Sequence, residues 1–207
     1  MNRAEDNSSE RQVTVYRWPP EAPWTNKKRS LFREVISFVL TIALAVFCVT
    51  ALKLFVIDVY EVPTGSMSPT IAVNDRIVAE KISLYFSEVK QFEIVTFLDP
   101  VGQDRTLIKR VIALGGQTVD IKGGKVYVDG ILLDEPYTLG RPTYELIPRR
   151  DITIEYPYTV PEGHMWVMGD NRTDSADSRY FGSVDVDLIT GRGLLVLWPP
   201  EHFSGLN

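Results

Sequence analysis

Cysteine and histidine are scarce in this chain of 207 residues. Cys48 is the single cysteine, and His164 and His202 are the only histidines. One cysteine excludes a disulfide within the chain and any multi-cysteine zinc site. Two histidines leave little material for metal ligation. Excess positive charge is also missing: the formal net charge is −5, which argues against a general nucleic-acid binder. There is no internal repeat and no long helical stripe after Tyr60. The length excludes a large multidomain enzyme and a polytopic transporter, leaving room for one domain plus attachments. Charged residues at 24% and apolar residues at 44% exclude disorder throughout.

What is present is unevenly laid out. Residues 1–34 carry seven basic and five acidic side chains, and Lys53 is the only charge between Val35 and Ile57, so residues 58–207 carry a net −8. The run 35–52 reads VISFVLTIALAVFCVTAL, and Leu54–Ile57 continue it past Lys53. Roughly 20 apolar residues in a helix cross a bilayer, and Lys53 lies near the end, where its stem can reach the interface. The run is longer than the apolar core of a cleaved signal peptide, and the preceding tail is long for one. The stretch 35–57 is therefore predicted to be a transmembrane anchor. Lys27, Lys28, Arg29 and Arg33 precede it directly, which predicts a cytoplasmic N-terminus and residues 58–207 on the far side. The tail 1–34, with Pro19, Pro20 and Pro23 among polar residues, is predicted to be largely disordered.

After Tyr60 short apolar stretches alternate with turn signals. Strands are predicted at Asp75–Glu80, Ile94–Leu98, Leu107–Leu114, Thr118–Ile121, Lys125–Val128, Ile131–Leu133, Ile152–Tyr156, His164–Met168 and Leu194–Trp198. Gly123-Gly124 and Asp129-Gly130 are strong two-residue hairpin signals. Thr138–Pro148 reads as an exposed loop. The fold class is thus mostly β: an antiparallel sheet body behind one helix, with a smaller β lobe at about 115–160.

Three segments could carry chemistry. Around Ser66 the chain reads Pro63-Thr64-Gly65-Ser66-Met67-Ser68-Pro69-Thr70. Pro63 and Pro69 restrict their neighbours and Gly65 relaxes the backbone, which suits either a plain turn or a presented nucleophile. A serine nucleophile needs a base. His164 sits at a turn and His202 close to the C-terminus. Lys109 lies within the apolar strand Leu107–Leu114, where a charged amine is costly and a neutral one suits general-base work; an edge-strand lysine that discourages aggregation fits the same pattern. The third segment, Gly169–Gly182, packs Asp170, Asp174, Asp177, Arg172, Arg179, Ser175 and Ser178 into fourteen residues. Its acids do not have the spacing of an EF-hand calcium loop.

Together, residues 63–70, IleLysArgValIleAlaLeuGlyGly at 108–116, and GlyAspAsnArg with SerAlaAspSerArgTyrPheGly at 169–182 resemble the bacterial type I signal peptidases, membrane-bound serine proteases with a Ser–Lys dyad. The resemblance covers the anchor and nearly all of residues 58–207, and it is to the compact single-span form. It implies a barrel-like catalytic domain, Ser66 as nucleophile and Lys109 as general base. It implies that the Thr64 hydroxyl joins the Ser66 N–H in an oxyanion hole, that Ser175 orients the lysine, and that Asp177, Arg179 and Asp170 brace the site. It maps the small substrate pockets to Tyr60, Val62, Pro63, Ile71, Leu107 and Ile108. Two positions depart from the common pattern: threonine at 64, where many relatives carry serine, and Gly115-Gly116, where proline often precedes the second glycine. The implied activity is removal of signal peptides from secretory preproteins after small-x-small sites, at the bilayer near the export translocon, with no metal or cofactor and no nucleic acid. A Ser–Lys autoprotease and a catalytically dead membrane-anchored β scaffold are the competing readings.

Overall fold

Apolar side chains are concentrated in one stretch of the chain, and that stretch forms one long helix. The structure, a computed structural model, describes residues 24–206. Helix α1 runs Trp24–Phe55, and its portion Leu31–Phe55 is long and apolar enough to cross a membrane. Leu31, Phe38, Leu44, Phe47 and Leu54 all stay exposed along it. A helix apolar on every side suits lipid better than a single protein face. Two boundaries correct the sequence reading. Trp24–Glu34, expected in the disordered tail, are helical, because no proline or glycine interrupts the chain after Pro23. The rest of that tail, residues 1–23, lies outside the described residues. At the other end the helix stops at Phe55, and Ile57, expected in the anchor, opens a strand because its backbone pairs with Glu80.

The remainder is antiparallel β. In chain order the strands are β1 (Ile57–Glu61), β2 (Arg76–Glu80), β3 (Ile94–Leu98), β4 (Thr106–Leu114), β5 (Thr118–Lys122), β6 (Lys125–Val128), β7 (Ile131–Leu132), β8 (Tyr158–Thr159), β9 (His164–Met168), β10 (Val184–Asp185), β11 (Ile189–Trp198) and β12 (Ser204–Gly205). The larger sheet has the order β1-β2-β11-β3-β4-β9-β10, with β12 added beside β11. The smaller sheet, built from residues 118–159, has the order β7-β6-β5-β8. Its hairpins turn at Gly123-Gly124 and Asp129-Gly130, where all four residues have positive φ, the requirement of the tight turn that matches strand twist.

Alternation along β4 distributes its side chains among separate cores. Leu107 and Val111 pack with Val95, Phe97, Val167 and Phe181, whereas Ile108 packs with Val62, Met67, Ile71 and Ile77. Ile112 joins Val119, Val126 and Trp166, the core under the smaller sheet.

The predicted strand Ile152–Tyr156 is not a strand. Ile154 and Tyr156 do pack on the Trp166 core, so the alternation is real, but the segment makes no ladder. Pro157 lacks an N–H and holds Tyr156 in a restricted conformation, and pairing with β5 begins only at Tyr158. Thr138 closes a 3₁₀ turn, Pro136–Thr138, and residues 139–148 are irregular, as expected of a loop, yet Thr138 and Thr143 are buried rather than exposed. After β9, the single helical turn α2 (Ser178–Phe181) is capped by Asp177, whose carboxylate accepts from the Arg179 N–H.

Candidate active site

Ser66 sits in the middle of a 3₁₀ turn, Gly65–Met67. The turn is pinned from below: Met67 and Ile71 are fully buried, and the Ile71 N–H donates to the Met67 carbonyl at 3.0 Å. It is held from the side as well. The Asn171 N–H donates to the Ser66 carbonyl at 3.0 Å, and Asn171 Nδ2 donates to the Gly65 carbonyl at 3.1 Å. Gly169 makes this approach possible. A Cβ there would stand 2.4 Å from the Ser66 carbonyl oxygen and 2.3 Å from Ser175 Oγ, so any side chain would push the two segments apart.

Lys109 projects from β4, opposite Val95 of β3. Its Nζ donates to Ser66 Oγ at 2.7 Å and to the Ile108 carbonyl at 3.0 Å. The lysine is 4% exposed. Burial lowers its pKa to about 8; the charge of Asp177 opposes the shift, Arg105 adds to it, and Asp170 opposes it again. About a tenth of the amine is therefore neutral at pH 7 and half at about pH 8, with a lone pair within proton-transfer distance of the hydroxyl. Thr64 Oγ1 lies 3.5 Å from Ser66 Oγ on the exposed side of the turn.

Asp170, Arg172, Asp177 and Arg179 of the third segment are buried in ion pairs, whereas Asp174 is exposed. Asp177 receives Arg179 Nε and Nη2, both at 2.9 Å, and also the Gly169 N–H at 3.0 Å. Asp170 receives Arg110 through a fork of 2.9 and 2.7 Å, and Thr70 Oγ1 donates to the same carboxylate. The Asp170 pair thus joins β4, the turn after Ser66 and the end of β9. Ser175 Oγ is buried beside Gly169 and has no hydrogen-bond partner among the described residues. It makes no bond to Lys109 here.

Of the residues mapped to substrate pockets, Tyr60, Val62, Ile71 and Ile108 share one apolar cluster with Met67. Pro63 is exposed beside it. Leu107 is not brought there; its side chain belongs to the Phe97 cluster. The two histidines lie elsewhere in the bonding pattern: His164 contacts the Glu162 carbonyl at a turn, and His202 contacts Asp75 at 2.7 Å.

Sequence reading named Arg172 without its partners and missed Glu135 and Tyr137. Arg172 Nε donates to the Gly169 carbonyl at 3.0 Å, while its other nitrogens donate to Glu135 and Thr143. Tyr137 lies under the Arg110 guanidinium, 4.1 Å from ring centroid to Cζ. The sequence offered Arg172 itself, in GlyAspAsnArg at 169–172, but no signal for Glu135 or Tyr137.

A buried serine hydroxyl bonded to a buried lysine amine can perform nucleophilic acyl transfer. The family model described as "Signal peptidase, peptidase S26" matches residues 35–198. A signal peptidase I from Leptolyngbya laminosa is 33% identical, covering 97% of both chains. A probable signal peptidase I from Synechocystis is 35% identical over 91% of both chains, and the signal peptidase I of Bacillus caldolyticus is 36% identical over 77% of this chain and 90% of its own. A crystal structure of a signal peptidase I from Enterococcus faecalis aligns with 30% identity and a TM-score of 0.41, over 51% of this chain and 97% of that one. On the family match and these near full-length relatives, the chain belongs to the signal peptidases of the peptidase S26 family.

Proposed function

We propose that this chain is a membrane-anchored serine endopeptidase that removes N-terminal signal peptides from exported preproteins. The observation that carries the reading is the 2.7 Å bond between Lys109 Nζ and Ser66 Oγ inside a buried site. Neutral Lys109 takes the hydroxyl proton as Ser66 Oγ attacks the scissile carbonyl. The Ser66 N–H and the Thr64 hydroxyl hold the oxyanion; one donor of this kind contributes about 10²–10³ in rate. The lysine ammonium then protonates the leaving amine, and the amine it regenerates activates the water that cleaves the ester. Ser175, an unpartnered hydroxyl next to the dyad, accepts from the lysine as it turns between the two tasks. Asp177, Arg179 and Asp170 brace the frame.

Shallow apolar pockets around Tyr60, Val62, Pro63, Ile71 and Ile108 favour small residues at the two positions that precede the cut by one and three. The extended substrate adds to the exposed strand edge nearby. Helix α1 anchors the enzyme in the plasma membrane by a single span, N-terminus in the cytoplasm and residues 58–207 outside, near the site where preproteins emerge.

The test uses the full chain in detergent with a secretory preprotein, products read by mass spectrometry. A single cut after a small-x-small site is expected, absent in Ser66→Ala. Wild-type protein that leaves several preproteins intact in lipid would instead indicate a scaffold.

A further inference from the structure

The loop between β7 and β8 of the smaller sheet reaches toward the nucleophile site at three points, two on the buried arginines that frame it and one on the turn itself. Glu135 receives Arg172 through two nitrogens, and Arg172 Nε holds the Gly169 carbonyl, next to the Asn171 that bonds the Ser66 carbonyl. Tyr137 donates to Glu135 at 2.9 Å and presents its ring to Arg110, the partner of Asp170. Arg141 Nη1 donates to the Ser68 carbonyl at 2.9 Å, two residues past the nucleophile. Thr138 and Thr143, both buried, fix the backbone of this segment, and Thr143 also receives Arg172 at 2.8 Å.

We propose that residues 135–143 form a positioning strap that sets the place of Ser66 relative to Lys109, with Glu135, Tyr137 and Arg141 as its working residues. The proposal rests on the Ser66–Lys109 reading. Two of the strap's contacts end on charged groups that are themselves buried, so the strap has little freedom to shift without leaving Arg172 or Arg110 exposed to an unfavourable site. The third contact ends on the main chain of the turn. None of the three is with the apolar cluster mapped to substrate pockets, so the strap acts on the nucleophile and not on substrate affinity. A displacement of about 1 Å at a reacting atom costs on the order of 10²-fold in rate.

The experiment measures kcat and KM on a preprotein for full-length Arg141→Ala, Arg141→Lys and Glu135→Gln in detergent, with the acylation rate on a small activated ester as a second readout. Positioning predicts kcat lowered by about 10–100-fold with KM changed by less than about twofold, and an equal loss on the ester, which occupies no substrate pocket. Arg141→Lys, which still offers a donor to the Ser68 carbonyl, recovers most of the rate. A rise in KM with kcat unchanged and ester acylation intact overturns the proposal, as does full kcat in both Arg141→Ala and Glu135→Gln. Should Ser66→Ala in the same series remain active, the dyad reading fails instead, so the two failures are distinct.

Discussion

Lys109 Nζ and Ser66 Oγ come from positions 43 residues apart in the sequence and lie 2.7 Å from one another, with the lysine 4% exposed. That pairing has an energetic cost. In water a lysine amine stays protonated to about pH 10.5, and in this site only to about pH 8, chiefly because burial penalises the ammonium.

The cost appears in stability. The folded state holds the lowered pKa, so the penalty is full below about pH 8, shrinks between about pH 8 and 10.5, and vanishes above. At pH 7 it amounts to on the order of 3 kcal/mol. Lys109→Met keeps most of the side-chain volume without the charge. It is expected to melt higher than wild type at pH 7, with the advantage fading as pH rises through that window. A melting temperature below wild type at pH 7 and unchanged by pH would contradict a desolvated amine.

Arg105 lies on a solvent-facing turn, paired with Asp99 at 2.7 Å, and its charge lowers the Lys109 pKa. Arg105→Gln removes a like charge and raises that pKa. Since the neutral amine is the active form, the rising limb of kcat/KM against pH moves to higher pH. High salt screens the guanidinium and reduces the difference between the two proteins. The check is a pair of pH–rate profiles at low and high ionic strength.

Gly169 admits no side chain, because a Cβ would meet the Ser66 carbonyl oxygen and Ser175 Oγ at 2.4 and 2.3 Å. Both are attached to less yielding structure than a flexible side-chain end. Gly169→Ala is expected to displace the nucleophile turn and lower kcat by about 10²-fold, measured on a preprotein alongside circular dichroism to confirm the fold.

Much of the fold was legible because it depends on local rules. Hairpins at Gly123-Gly124 and Asp129-Gly130 follow from positive φ, and the long helix follows from one uninterrupted apolar run. Ile152–Tyr156 had the strand alternation, but pairing needs donors and a free edge, and Pro157 starts the ladder too late. The extension of α1 back to Trp24 was masked by the charge of Lys27–Arg29, which is compatible with a helix once no proline intervenes. At the site, family motifs named Ser66, Lys109 and the Asp/Arg segment. Glu135, Tyr137 and Arg141 stayed hidden because their partners lie 37, 27 and 73 residues away along the chain, and no periodicity links a loop to a distant turn.

Arg110 and Asp170 give a direct test of the buried ion pairs that frame the site. Asp170 is fully buried and its guanidinium partner is 9% exposed. Arg110→Met leaves a carboxylate buried with only Thr70 to hold it, at an expected cost of about 3–5 kcal/mol in urea denaturation. The double variant Arg110→Met with Asp170→Asn removes the stranded charge and recovers part of that loss.

Activation of Ser66 by neutral Lys109 is read most directly from the rate of acylation by an activated ester as a function of pH, with the adduct located by peptide mass spectrometry. One adduct is expected, on Ser66, formed at a rate that climbs to a plateau above about pH 8 and is lost in Lys109→Met. An adduct on another residue, or Lys109→Met acylating at the wild-type rate, would contradict it.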